Sequence, residues 1–314
     1  MIHLPAQIKF QLNSSNPAVT AIIAGPLTHI VNTFIEISSF PEVWKIARIT
    51  PIPKNESITT ESDMRPISIL PVLSKVFERL VHQQVVSFID SQDLFKGNMS
   101  GFRKGHSTTT VLLRIRDDII KAMKRGEVTL MILTDFSKAF DTIKYKTVLK
   151  KLNYLGFSKS FLNWTIEYLT DRWHFVQVDD KTSDRRRVNF GVPQGSIMRP
   201  LIFNLYVADL HAHVNMQCHQ YADDTTLYVH CKPSNLESYK RDLNNSLCNL
   251  EEWSSNANLV INLSNIKMMV LSTKQLSSAH AIEHLNMKIA VNNENIERVP
   301  STKLLGTYIN QHLK

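Results

Sequence analysis

Asp223 and Asp224 stand side by side behind Tyr221-Ala222, with the apolar stretch Leu205-Tyr206-Val207 upstream and the strand-like Thr226-Leu227-Tyr228-Val229 just beyond. A strand–turn–strand that exposes two acids at its tip is a mount for a divalent cation. Hard Mg²⁺ takes oxygen ligands and uses only one or two protein carboxylates, which leaves room for waters and substrate phosphates. Asp-Asp also occurs in ordinary turns, because both side chains can hydrogen-bond their own backbone. The pair therefore gains weight only from its company.

Upstream, Val128–Thr134 is a short, apolar, β-prone run that reads as a buried strand. It ends in Asp135, with Lys138-Ala139-Phe140-Asp141 close behind. An unpaired carboxylate at the end of a buried strand costs several kcal/mol unless a cation compensates it. One acid here and two on the hairpin make a three-carboxylate cluster, able to hold two metals roughly 3.5–4 Å apart for in-line phosphoryl transfer. A third segment, Gly191-Val192-Pro193-Gln194-Gly195-Ser196, lies between strand-like Arg187–Phe190 and an apolar helix predicted over 200–210. Gly and Pro set a sharp loop, and Gln194 offers a neutral donor and acceptor. Each segment alone is explicable as a turn; their order and spacing together are not.

The 314 residues suffice to bury a real core, and the formal charge of +8 suits a polyanionic partner. Cys218, Cys231 and Cys248 show no metal-ligand spacing, and an odd count with no secretion signal predicts reduced thiols in an intracellular setting, cytoplasm and/or nucleus. Residues 18–37 are apolar but broken by Pro26, His29 and Asn32, so no membrane span is expected. Helices are predicted over 27–37, 72–89 (capped near Ser74), from Ser107 or Thr108 to Met123, 148–155, 161–169, and from near Ser234 to Trp253. Residues 175–179 and 185–190 read as a hairpin, and 268–271, 288–291 and 296–299 as late strands. Helices outside a mainly antiparallel sheet give an α+β class.

Six or more blocks in order give the chain its resemblance. They are Pro41–Ala47 with Ile49-Thr50-Pro51-Ile52-Pro53-Lys54; Arg65-Pro66-Ile67-Ser68 followed by Ser74–Arg79; Ser100-Gly101-Phe102-Arg103 with Ser107-Thr108; Asp135–Asp141; Gly191–Ser196; Tyr221–Asp224; and Lys303-Leu304-Leu305-Gly306. From about Pro26 almost to its end the chain resembles the reverse transcriptase domain of non-LTR (LINE-like, jockey-type) retrotransposons. The resemblance implies a right-hand polymerase with palm and fingers, an antiparallel palm sheet flanked by helices, and a thumb missing or minimal. It places a divergent lead-in at 1–23, fingers at 24–125 and 144–185, and palm at 126–143 and 186–314, with neither an endonuclease nor a zinc knuckle.

The resemblance also assigns roles. Asp135, Asp223 and Asp224 become the catalytic and metal-binding acids for two Mg²⁺ ions, with Mn²⁺ able to substitute. Phe140 falls where the family carries the aromatic that crowds the sugar 2′ position and so excludes ribonucleotides. Arg65, helped by Lys54, matches the grip on the incoming triphosphate, and Gln194 the contact near the nascent pair. Arg103, Lys104, Arg185, Arg186 and Arg187 are candidates for tracking the template backbone. The implied partners are an RNA template, a DNA primer and dNTP.

Three departures stand out. Arg199 occupies the place of a second family glycine, and is expected to obstruct if that glycine uses positive φ or admits a close approach. Met99 replaces a glutamine, and Asn265 a lysine, with Lys267 two residues on. These departures and the short C-terminal end raise an alternative: a catalytically silent relic or repurposed nucleic-acid-binding scaffold. An RNA-dependent RNA polymerase shares the metal chemistry but fits Phe140 poorly.

Overall fold

The computed structural model of the chain describes residues 17–54, 56, 59–95, 97–285, 287–292 and 294–313. The lead-in expected at 1–23 lies outside these residues up to position 16. The chain divides into two compact units, one formed by residues up to Leu94 with Phe140–Tyr206, the other by Phe95–Ala139 with Val207 onward.

The first unit carries a mixed sheet. Its strand Ile46–Pro53 pairs antiparallel with Met64–Ile69 and parallel with Arg172–Val178. The latter turns back through Lys181–Thr182 and Arg186–Val188, which is the hairpin predicted from alternation, with Trp173 opposite Arg187. The helix Val72–Ser91 buries Phe77, Val81, Val85 and Ile89 at helical spacing, and Lys159–Leu169 buries Phe161, Trp164 and Tyr168. Tyr168 and Trp164 meet Phe40 edge-on, with centroids 5.1 Å and 6.3 Å from its own, and Phe77 stacks on it at 5.7 Å. Each such side chain contributes roughly 1.5–3 kcal/mol on burial, so the cluster is the hydrophobic anchor of this unit. The cap predicted at Ser74 does not form. The helix starts two residues earlier, after Pro71, and Ser74 lies inside it, hydrogen-bonded to Glu78.

The second unit is a five-stranded sheet in the order Glu297–Arg298, Lys267–Leu271, Val128–Thr134, Asp224–Cys231, Gln217–Tyr221. The central strand, Val128–Thr134, is buried along its whole length, as its apolar run predicts. The second unit's sheet is mainly antiparallel, as expected, but mixed at one edge, where Lys267–Leu271 pairs parallel with Glu297–Arg298; the first unit's sheet also contains a parallel pair. The helix Thr108–Lys124 begins at Ser107, whose hydroxyl caps the Thr110 N–H, and sets Val111, Ile115 and Ile119 against Met131, Met269 and Leu271. The long helix Leu236–Asn256 buries Leu243, Leu247, Leu250 and Trp253, and the Trp253 ring lies 6.0 Å from that of Phe136. None of the described helices is long and apolar enough to cross a membrane.

Candidate active site

In the second unit the sheet register gathers the three acids. Thr134 pairs with Thr225, so the chain leaves the central strand at Asp135 beside the end that carries Asp224. The hairpin partner is Gln217–Tyr221, closed by Ala222–Asp223 with Tyr221 opposite Asp224. Leu205–Val207 ends the helix Met198–Val207, the apolar helix predicted over 200–210. Ala222 takes φ 58°, the left-handed conformation a two-residue hairpin turn demands at its first position.

The proximity shows in the electrostatics. Burial, then the Asp135 charge, raises the Asp223 carboxyl above its usual range. Crowding by the surrounding protein, then Asp223, then Asp135, pushes Asp224 up to about 6, even though the residue keeps solvent access. Asp135 itself is asymmetric. Its Oδ2 accepts the side-chain amides of Asn262 and Asn265, each at 3.3 Å, while its Oδ1 is buried without a hydrogen-bond partner. A bare, buried, anionic oxygen is destabilising unless a cation or donor meets it.

Among the described residues no three His, Cys, Asp or Glu side chains form a ready-made metal-holding group. The donor set nonetheless fits a hard divalent cation by its chemistry: only oxygens, one of them orphaned, with the Asp135 charge raising the carboxyls of both hairpin acids. Mg²⁺ in particular is usually held by one or two carboxylates plus waters and substrate phosphates rather than by an all-protein cage. A cavity of about 460 Å³ opens here, lined by Asp135, Asp224, Asn265, Lys267 and the Lys303–Gly306 segment. Lys267 thus shares the cavity with the acids.

The Ser100–Arg103 block is the brace of this turn. Gln220 donates its N–H to Asn98 (2.8 Å) and its carbonyl accepts the Ser100 N–H (2.9 Å), so 98–100 runs along the hairpin like a short extra strand. Gly101 then abuts Ala222 so closely that no side chain fits between. Arg103 donates to the Met99 carbonyl (3.0 Å) and lies 5.2 Å from the Phe95 ring centre, so it secures its own loop; Lys104 is exposed.

In the first unit the Gln194 loop is held on three sides. The Gln194 carbonyl accepts the Ser68 N–H (2.6 Å), and Gly195, at φ 122°, sits where a Cβ would overlap the Ser68 carbonyl oxygen. Glu78, fully buried, accepts hydrogen bonds from Ser74 (3.2 Å), from the Ser196 hydroxyl (3.0 Å) and from the Ile197 N–H (2.7 Å). Ser196 also meets the Tyr168 hydroxyl at 2.5 Å and caps the Met198 N–H. A carboxylate at the amino end of the Met198–Val207 helix is favoured by the helix dipole.

Arg199 does not take a positive φ; it lies in the first turn of that helix. Its guanidinium folds back to Asp141 (2.9 Å), to the Val192 carbonyl and over the Phe140 ring, 4.9 Å from its centre. Phe140 rests on Phe203, with centroids 4.3 Å apart. The backbone obstruction expected at Arg199 is therefore not what the first unit contains.

Arg65 is exposed on Met64–Ile69, opposite Ile52, and Lys54 follows the paired strand. Gln194 joins the wall of a cavity of about 420 Å³ with Ser68, His174 and Phe190. Arg185, Arg186 and Arg187 are exposed, and Arg187 pairs with Asp171. Glu78 and the two asparagines were not predicted as site residues. Ser74 and Glu78, four apart within a matched block, were the visible sign of the first; the asparagines showed only as a departure.

The family model described as reverse transcriptase (RNA-dependent DNA polymerase) matches residues 52–309. The chain is 32% identical over 185 residues to a probable RNA-directed DNA polymerase from transposon BS of Drosophila melanogaster, covering 59% of this chain and 20% of that protein. It is 29% identical over 245 residues to the RNA-directed DNA polymerase from mobile element jockey of the same organism, covering 75% of this chain and 26% of that one. The chain thus spans about a fifth to a quarter of the length of these curated relatives. Among solved structures, an apo telomerase from Candida tropicalis, truncated from its C-terminal domain, superposes with a TM-score of 0.56 at 14% identity, covering 86% of this chain and 54% of that one. That likeness concerns the fold: a mixed α/β arrangement consistent with palm and fingers.

Proposed function

This chain belongs to the reverse transcriptase (RNA-dependent DNA polymerase) family, and we propose that it is the RNA-directed DNA polymerase portion of a non-LTR mobile element, extending a DNA primer with dNTPs on an RNA template. Asp135, Asp223 and Asp224 would hold two Mg²⁺ ions, with Mn²⁺ as a substitute. Bound there, the ions would supply Lewis-acid activation of the primer 3′-hydroxyl and neutralise charge on the triphosphate. The observation that carries the reading is the orphaned Asp135 Oδ1 beside two acids whose carboxyls are both raised.

The chain's other groups would divide the work. Phe140, backed by Phe203 and covered by Arg199, would exclude the ribose 2′-hydroxyl by bulk. Arg65 and Lys54, at neighbouring ends of one hairpin, would grip the triphosphate. Gln194, fixed by Ser68, would meet the nascent pair. Lys104, Arg185 and Arg186 would follow the template backbone; Arg103 and Arg187, already engaged within the chain, would add less. The Arg199 departure, one of those that raised the silent-scaffold alternative, has a structural partner in Asp141.

The test is extension of a primed RNA template by the purified chain with Mg²⁺ or Mn²⁺, with Asp223→Ala abolishing it. A well-folded wild type that extends nothing, across metals and templates, would remove the enzyme reading.

A further inference from the structure

Among the described residues, Asp135 receives side-chain donors on one carboxylate oxygen only. The strand Val260–Ile261 pairs with Phe136–Ser137, Ile261 opposite Phe136, so the residue after it arrives at Asp135 on a fixed mount. Asn262 then donates its backbone N–H to the Asp135 carbonyl (3.0 Å), and the Asn265 N–H closes a turn onto the Asn262 carbonyl (3.0 Å). Both side-chain amides donate to Asp135 Oδ2. The Ser264 hydroxyl donates to Asn262 Oδ1 at 2.7 Å, which decides which end of that amide faces the carboxylate. Asp135 Oδ1 is left bare and buried.

We infer that Asn262 and Asn265 are positioning residues for Asp135: they pin Oδ2 with uncharged donors and so turn the buried Oδ1 to a divalent cation. This rests on the metal-binding reading of Asp135. The physical point is the neutrality of the donors. An amide orients a carboxylate without cancelling its charge. Donors behind a metal ligand commonly change affinity by about 10–100-fold when removed.

The test is Mn²⁺ titration of the full chain, read as the loss of the free-ion electron paramagnetic resonance signal, which requires no catalysis. Asn265→Ala and Asn262→Ala should each weaken binding about 10-fold, while Asn265→Gln, which keeps an amide, recovers most of the loss. Should Asn262→Ala fail to fold, Asn265→Ala carries the comparison, since Asn265 keeps its backbone bond. Alanine variants that bind Mn²⁺ like wild type, while Asp223→Asn does not, would overturn the inference and leave the metal site standing. A folded wild type with no saturable Mn²⁺ binding would overturn both.

Discussion

Gly101 lies against Ala222 so tightly that a Cβ on it would overlap the Ala222 nitrogen and meet the Tyr221 carbonyl carbon at 3.0 Å. Both partners of that clash are backbone, so no side chain can move aside. Gly101→Ala must displace either the turn that carries Asp223 or the short ladder formed by 98–100. Overpacking of this kind costs about 1–3 kcal/mol. Urea unfolding of the variant should show the loss, and Mn²⁺ affinity should fall with it. An unchanged midpoint would mean that the segment does not brace the turn.

Glu78 organises the Gln194 loop from beneath. Glu78→Ala strips the partner from Ser196, from the Ile197 N–H and from Ser74 at once. Hydrogen bonds to a charged group contribute about 1.5–3 kcal/mol each and are not additive, so a loss of at least about 3 kcal/mol is expected by urea unfolding. Glu78→Gln, which still accepts through one oxygen, should lose roughly half as much. Equal losses would place the effect in shape rather than charge.

Arg199→Gly, which installs the residue the family resemblance leads one to expect, should make the protein less stable. It removes the Asp141 pair and the contact over Phe140 and adds a glycine to a helix, which alone costs about 1 kcal/mol. A drop of about 1–2 kcal/mol in thermal or urea unfolding is the expected result; a gain would identify Arg199 as a source of strain.

Legibility in the sequence followed how local the cause was. Val128–Thr134 and the Ser107 start of the next helix are written in consecutive residues, and both stand where predicted. The strand Gln217–Tyr221 went unread because Gln-Cys-His-Gln-Tyr shows no apolar alternation. Cys218, His219 and Gln220 are buried there by pairing on both sides, not by hydrophobicity. The asparagines on Asp135 act across 127 and 130 residues of sequence, a separation no local pattern spans. The contacts of Arg199 were not legible for a related reason. A glycine position indicates where backbone freedom is used, but the path of a long side chain depends on Asp141 and Phe140, which only the fold supplies.

His219 predicts an acid limb in stability. It is buried, with its Nε2 at 3.1 Å from the Tyr228 hydroxyl, which donates to Asp118. Burial, then the Arg114 charge, lowers its proton affinity from 6.5 to about 4, with Asp118 opposing. Because the folded value is below the unfolded one, the neutral ring's contribution is complete above pH 6.5 and is lost as pH falls toward 4. A shift of that size corresponds to about 3 kcal/mol at most. Burial also lowers His82, His174 and His230, so His219→Gln should flatten the decline in urea midpoint between pH 7 and 4.5 rather than remove it. An unaltered slope would exclude His219 as a contributor.

Asp224 gives the opposite sign, and with it a way to separate electrostatic cost from cation binding. Its carboxyl is raised from 3.8 to about 6 by crowding, then by Asp223 and Asp135. A group raised on folding stabilises fully below about pH 4 and loses that contribution as pH rises through 6, so the ionised acids burden the metal-free protein at neutral pH. Asp224 is exposed, and solvent screening reduces the burden to on the order of 1 kcal/mol. Asp224→Asn should therefore raise the melting temperature at pH 7.5 in chelator, with the gain gone by pH 4. Added Mn²⁺ should reverse the ranking, because a ligand at about a hundredfold its dissociation constant stabilises the native state by ~2.7 kcal/mol and the variant lacks one of its oxygen donors. If Asp224→Asn is less stable than wild type in chelator at pH 7.5, the acids are not repelling one another. If Mn²⁺ then stabilises both proteins equally, Asp224 is not among the ligands.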